Sequence, residues 1–508
     1  MNSNKKKELL TRALKEHHAG NLETADKLYK KILEKDPKDY DANHLHGTIL
    51  SQNKQYAKAI NFFSIAYESG QVTCELLNNY AIALRNLNAF TECEKLLKES
   101  ITIDQMFPNS YLNLSNCYLS QEKFDEAIDT LLKSINLGIN AIRCRIEIVS
   151  ILYSNLREKY SNATLSQLIE NMEILCKSGD PHAIAKCALV FFNIGKIDDA
   201  LKYFKLSEKL YSDAIPSTSV LMNTSIERIN TFVKHEYEQI KHIDSDEDGI
   251  RNMKITQKFY DKLENLALRD SSSFNTNDYE FISNLHKVKY NKPPLVQKKY
   301  LNEGISKKDI EHEYSSSSPE IVVVDNFLTD EFLNELQVFF RCSNIFKYPY
   351  SRGYIGAFLG KGMANKAILE FSQELQSSFP KIFFDYYLSQ AWAFKYDSKK
   401  QGIGIHADDA KVNVNFWITD DSSNLNLNNG GMIIWKKEPK LDATFKDFNS
   451  IYSMDKMNEE VKNSDYVKVH YRSNRAVIFN SKLYHVTDEI DFKDNYKDRR
   501  VNVTLLYK

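Results

Sequence analysis

Residues 21–37 read NLETADKLYKKILEKDP, and the spacing that starts here decides the fold of the first half of the chain. Ala25 is followed, at steps of 34 residues, by Ala59, Cys93 and Ala127, all small. The same step from Ala13 gives Gly47, Ala81 and Ser115, again small. From Tyr29 it gives Phe63, Leu97 and Leu131, all large and apolar. Two small positions twelve apart let paired antiparallel helices approach closely, and the large residue packs into the next pair. Ala188, Phe191, Gly195, Ala200 and Phe204 mark a later copy. A phase slip before it leaves room for one degenerate copy over 140–180.

These registers resemble the tetratricopeptide repeat, and Pro37 stands where that repeat ends its second helix. The resemblance covers about residues 5–214. It implies an all-α solenoid domain over 1–214 with a concave surface for a protein or peptide partner.

Residues 215–318 read as a helical bridge and linker. Ile255, Phe259, Leu263 and Leu266 recur at helical spacing. The serine clusters at 271–273 and 315–318 read as loops, and Pro293-Pro294 breaks any helix. Asp244, Asp246, Asp248 and Gly249 match the start of an EF-hand calcium loop. Ile255 stands where the closing Glu belongs, so the stretch reads as a solvated acidic loop.

From Glu320 the texture turns to β. EIVVVDNF, 320–327, is a strand. A helix follows over Thr329–Arg341, with Thr329 as N-cap and Leu333, Leu336 and Phe340 on one face. A second helix is expected over 364–378. Eight short runs at strand spacing come next, at 390–396, 403–408, 411–419, 431–436, 466–471, 475–480, 484–488 and 500–507. That pattern suggests a sandwich or jelly-roll barrel.

Polar residues inside these runs carry the chemistry. GIHADD places His406 and Asp408 two apart, hence on one face of a strand. His485, in FNSKLYHVTD, lies far enough on to come from a facing strand. Two histidines and one carboxylate are the donor set of non-haem Fe(II) sites with open coordination positions. In RRVNVTLLY, 499–507, alternation sets Arg500, Asn502 and Thr504 on one face. An inward arginine on a buried strand needs an anionic partner, and a dicarboxylate would supply one bidentately. Arg499 points the other way and reads as a surface or packing residue. Asn413, Asn415 and Trp417 share a face, and Tyr396 lies on the strand before; these could line a co-substrate pocket. Trp392 and Trp417 read chiefly as core. Gly430-Gly431 reads as a strand-entry turn, and His470 and Arg475 as structural. Arg352, Tyr354 and Lys361 lie in or beside GYIGAFLGKG, 353–362, which reads as a Gly-rich loop able to fold over the site.

The order of strand, HxD, distal histidine, arginine and terminal strand resembles the 2-oxoglutarate- and Fe(II)-dependent dioxygenases, nearest their prolyl-hydroxylase-like branch. The resemblance covers 319–508 and implies a double-stranded β-helix (jelly-roll) with flanking helices. It implies His406, Asp408 and His485 as metal ligands and Arg500 as the partner of the distal carboxylate of 2-oxoglutarate, with Tyr396 and Asn415 beside it. Fe(II), 2-oxoglutarate and O2 are the implied requirements, and ascorbate is a further cofactor the resemblance allows. The implied reaction couples decarboxylation of 2-oxoglutarate, giving succinate and carbon dioxide, to hydroxylation of an unactivated C–H bond. Asp408 argues against halogenation, where a small residue leaves room for chloride. The expected function is hydroxylation of a protein or peptide recruited by the solenoid, with proline a candidate target residue. Two alternatives stand: the same oxygenase acting on a small molecule or glycan, and a catalytically silent interaction scaffold.

The formal net charge of -1 gives no support for a nucleic-acid or anionic-membrane binder. No apolar run approaches the ~18 residues of a membrane span, and the basic N-terminus has no apolar signal core. The expectation is a cytoplasmic protein. None of the seven cysteines forms a CxxC pair, so they read as core residues rather than zinc ligands or a redox motif.

Overall fold

The structure, a computed structural model, describes residues 3–154, 162–214, 216–244, 256–286, 290–398, 402–440, 443–449 and 453–508. By its contacts the chain divides into two compact units, parting between Ser178 and Gly179.

The first unit is a helical solenoid. Its hairpins pair Ser3–His18 with Leu22–Leu33, Tyr40–Gln52 with Tyr56–Glu68, Cys74–Asn86 with Phe90–Ile103, and Pro108–Leu119 with Phe124–Asn136. Ala141–Ser154 and Asn162–Cys176 follow, where the degenerate copy was expected. All three registers are buried: Ala25, Ala59, Cys93 and Ala127; Ala13, Gly47, Ala81 and Ser115; Tyr29, Phe63, Leu97 and Leu131. Gly47 shows why the position must be small. A Cβ there would lie 2.9 Å from the Phe63 ring and 3.3 Å from the Ala59 carbonyl oxygen. Side-chain caps start several helices, as where Asp39 accepts from the Ala42 amide and Thr73 from the Leu76 amide. Buried Asn78 ties neighbouring hairpins by donating to the Ser100 and Ser110 hydroxyls, each at 3.0 Å.

The second unit begins with the hairpin Pro181–Asn193 and Ile197–Asp213. This pair carries the repeat residues Ala188, Phe191, Ala200 and Phe204, all buried. Its partners, however, lie in the sheet region. Ser207 donates to the Gly360 carbonyl at 2.9 Å, and Asn193 to the Leu388 carbonyl at 3.0 Å. The bridge forms helices Thr218–Met222, Ile226–Asp244, Gln257–Leu268, Thr276–Leu285 and Lys307–Ser316. The acidic stretch read against the EF-hand pattern lies, from residue 245 to 255, outside the described residues.

Ten strands follow among the described residues: β1 Ile321–Val324, β2 Tyr348–Tyr350, β3 Tyr354–Phe358, β4 Leu388–Tyr396, β5 Val412–Trp417, β6 Met432–Trp435, β7 Tyr466–Val469, β8 Ala476–Asn480, β9 His485–Thr487 and β10 Val501–Tyr507. They pair antiparallel into a seven-stranded sheet, β1-β8-β5-β10-β4-β3-β2, and a three-stranded sheet, β7-β6-β9. Neither sheet closes on itself. Helices Asp330–Cys342 and Lys366–Ser378 fall where expected, the first capped by Thr329. Its buried face is centred on Phe332, Leu336, Phe339 and Phe340, and Leu333 is only half-buried.

Two expectations need correction. Residues 403–408 form no ladder strand; His406 alone makes a bridge, with His485. GYIGAFLGKG is not a loop but mostly β3, hydrogen-bonded to β4. Gly356 is needed there for packing: a Cβ would lie 2.9 Å from both the Phe358 and Phe394 rings. All seven cysteines are buried and free, as core residues.

Candidate metal centre and its cleft

The inner face of the large sheet is laid down by three neighbouring strands. Register pairs Thr504 of β10 with Asn415 of β5 and with Trp392 of β4. Alternation then brings Asn413, Asn415, Asn502, Thr504 and Tyr396 to one cleft of about 420 Å³. Arg500 lines the same cleft just ahead of β10, where its carbonyl accepts the Tyr396 amide at 3.0 Å.

His406, Asp408 and His485 meet in this cleft, their ligand atoms all within 4.8 Å of one another. Backbone pairing sets the distance: His406 and His485 exchange both amide-to-carbonyl bonds, at 3.0 and 2.8 Å. The Asp408 amide is fixed by the Ser481 carbonyl. Nδ1 of His406 lies 2.8 Å from the Gly404 carbonyl, and Nδ1 of His485 lies 2.9 Å from the Leu483 carbonyl. A carbonyl only accepts, so both Nδ1 atoms carry the proton and both Nε2 lone pairs are free. Those lone pairs face Asp408, at 3.9 Å from Oδ1 for His406 and 3.6 Å from Oδ2 for His485. Asn413 donates to Asp408 Oδ2 at 3.1 Å and orients it. Burial pushes the Asp408 carboxyl up and the His485 imidazole well below its usual value, the latter aided by His406.

Arg500 and Arg499 are both buried, but with different partners. Arg500 donates to the Gly430 carbonyl at 2.6 Å, the Gly431 carbonyl at 3.3 Å and Asn502 Oδ1 at 3.3 Å. Its guanidinium lies 4.6 Å from the Tyr396 ring centre and 5.7 Å from that of Trp417. No carboxylate among the described residues pairs with it. Arg499, expected at the surface or in packing, is instead an ion-pair hub: it grips Glu238 with two 2.7 Å bonds and also pairs with Asp397. The glycine pair serves Arg500 directly. Gly430 has φ +86°, and a Cβ on Gly431 would sit 1.9 Å from the Val469 carbonyl oxygen.

Other expectations sort plainly. Asn415 donates to Thr504 Oγ1 at 2.9 Å, and Tyr396 stacks on Tyr354 at 5.6 Å. Trp417 is fully buried in the core cluster, whereas Trp392 is half-buried and lines the cleft. Arg475 pairs with Asp325, and His470 bonds the Asn428 carbonyl. Arg352 and Tyr354 line the cleft, but Lys361 does not. Tyr350 and Arg228 also line it and went unread. An exposed arginine on an amphipathic helix gives no signal of its own, and β2 is too short to show a period.

Comparison with known proteins bears on the helical half. Residues 28–61 and 108–137 each match a family model described as tetratricopeptide repeat. Solved structures with similar folds include a type IV pilus biogenesis factor, PilW, at 16% identity over 42% of this chain and 95% of that one, TM-score 0.34. They also include PilF of Pseudomonas aeruginosa, at 20% over 41% and 91%, TM-score 0.33. A third is YrrB, titled a tetratricopeptide protein with an unusual peptide-binding site, at 13% over 36% and 93%, TM-score 0.29. The repeat assignment rests on the family-model matches and the buried registers. No curated protein matches the chain. No helix among the described residues is long and apolar enough to cross a membrane.

Proposed function

We propose that the second unit is a 2-oxoglutarate- and Fe(II)-dependent dioxygenase that hydroxylates a protein or peptide recruited by the repeat solenoid. One observation carries this reading. In a single cleft, two histidines with free Nε2 lone pairs face a buried carboxylate, and a buried arginine lacks a carboxylate partner among the described residues. On this reading the seven- and three-stranded sheets are the two sheets of a double-stranded β-helix.

The residues fit the groups they would hold. Imidazole nitrogen and carboxylate oxygen suit Fe(II), and a divalent cation offsets the cost of burying Asp408 as an anion. Asn413 lines the cleft, and its Oδ1 is buried with no hydrogen-bond partner among the described residues, which leaves polar capacity for a bound molecule. With iron and 2-oxoglutarate bound, the site would supply oxidative decarboxylation coupled to C–H hydroxylation. Arg500 would grip the distal carboxylate, held by the glycine carbonyls and flanked by the Tyr396 and Trp417 rings. Asn415 and Thr504 would present hydrogen bonds along the co-substrate. The ring walls would exclude water from the reacting end. The solenoid would raise the local concentration of substrate, since repeats of this kind typically bind peptides or proteins.

The test is succinate formation from 2-oxoglutarate by the full chain with Fe(II) and ascorbate. The account expects slow uncoupled turnover in wild type and none in Asp408→Ala. Equal turnover in both would refute it.

A further inference from the structure

A second cleft, of about 540 Å³, adjoins the metal cleft. Its walls come from the same unit: Tyr211, Leu221, Ile229, Phe232, Tyr348 and Lys361 among them. Arg228 and Tyr350 line both clefts, so the two are continuous across one side-chain wall. We infer that this second cleft is a subsite for an acidic residue and its apolar neighbour in an extended peptide whose reacting position lies at the metal cleft. The inference rests on the oxygenase reading only for what the neighbouring cleft does.

Charge and shape point to that occupant. Among the described residues Glu208 is the sole acidic residue lining the cleft, against Arg228, Lys347 and Lys361. Lys347 is already committed to buried Glu236, at 3.0 Å. Lys361 and Arg228 make no ion pair among the described residues. Lys361 is half-buried, its ammonium 3.7 Å from the ring centre of Tyr348, 4.6 Å from Tyr211 and 5.4 Å from Phe358. Aromatic faces hold the ammonium in place without neutralising it, so an incoming carboxylate meets a positioned cation. Burial pushes this ammonium below its usual value, and a carboxylate partner would reverse that. The apolar part has its own seat. Val220 lines the cleft while 57% exposed, and the buried Leu221, Ile229 and Phe232 line it with Val220. An exposed large apolar side chain over an apolar wall fits an interaction surface. A free small anion would use the lysine but not this rim. A peptide carrying an acidic residue next to a Leu- or Phe-like one would use both.

The probe is a positional-scanning library of acetylated, amidated octapeptides, selected on the immobilised full chain without metal. Wild type should enrich Asp or Glu over Asn or Gln by about tenfold at one position, the worth of one charge-assisted hydrogen bond. An apolar preference should appear within two or three residues of it. Lys361→Arg and Asp408→Ala should keep the acidic preference. Lys361→Met, with unchanged melting, should lose it. No acidic preference in wild type, or the same preference in Lys361→Met, would overturn the inference. An acidic preference without the neighbouring apolar one would do so too, pointing to a plain anion site. Peptide selection by a chain that binds neither Fe(II) nor 2-oxoglutarate would refute the oxygenase reading and leave this one standing.

Discussion

The solenoid and the sheet region use buried positions in opposite ways. In the solenoid, three registers are filled by small or large apolar residues, and the buried polar groups, such as Asn78, bond to neighbouring repeats. In the sheet region, the inner face carries His485, Asp408, Asn413, Asn502 and Arg500, all buried. Buried polar atoms with no hydrogen-bond partner among the described residues occur in both, Asn43 Oδ1 in the solenoid and Asn413 Oδ1 here. What sets the sheet region apart is that two imidazoles, a carboxylate and an arginine gather in one cleft. Burying ionisable groups together costs free energy, so this pattern fits a site for something the protein binds. Arg499 and Arg500 condense the contrast into adjacent residues: among the described residues, one pairs with Glu238 and Asp397, the other with carbonyls, an amide side chain and rings.

The largest test of the contrast compares two glycines. Gly431→Ala drives a methyl group against backbone and should cost roughly 4 kcal/mol or more, unfolding the sheet region. Gly47→Ala in the solenoid meets a ring that can shift, and should cost roughly 1–3 kcal/mol. Thermal melts of both variants check the order. Next come the arginines. Arg499→Ala leaves Glu238 and Asp397 sharing Lys234, at 3.9 and 3.4 Å, and should destabilise by about 3 kcal/mol in urea titrations. Arg500→Ala strands no charge and should cost roughly 1 kcal/mol, while 2-oxoglutarate binding is lost. Equal destabilisation would show that Arg500 is structural too. A smaller effect is expected from Asn413→Ala, which leaves the ligands but frees Asp408; Fe(II) affinity by calorimetry should fall about 10–100-fold. The smallest is a pH effect at an ion pair outside the cleft. The hydrogen bond from Arg475 holds Asp325 below its ordinary value. Its contribution is therefore present above the unfolded value of about 3.9 and lost as pH falls through the native one. The urea-midpoint gap between wild type and Asp325→Asn should shrink from pH 6 to pH 3.

Legibility in the sequence followed the range of each constraint. The repeat registers were readable because close helix contact imposes a small residue at fixed spacing within each hairpin. His406 and Asp408 do reach one cleft, although 403–408 forms no ladder strand, and the alternation from Arg500 to Thr504 predicts the inner face seen in β10. What depends on distant partners was not readable. His406 takes its strand conformation from His485 alone, not from a ladder of its own. The hairpin at 181–213 looks like another repeat, yet its bonds run to Gly360 and Leu388. The glycines of 353–362 suggested a loop because the role of Gly356, making room for Phe358 and Phe394, depends on β4. Arg228 reaches the cleft from a bridge helix whose sequence shows only amphipathicity.

The central claim is that His406, Asp408, His485 and Arg500 jointly hold Fe(II) and 2-oxoglutarate. Anaerobic titration of the full chain with both, followed by visible absorption, tests it most directly. The account predicts a weak metal-to-ligand charge-transfer band that needs both additions and is absent in Asp408→Ala and Arg500→Ala. Fe(II) binding with no band on adding 2-oxoglutarate would contradict it, and the cleft would then be a metal site without this co-substrate.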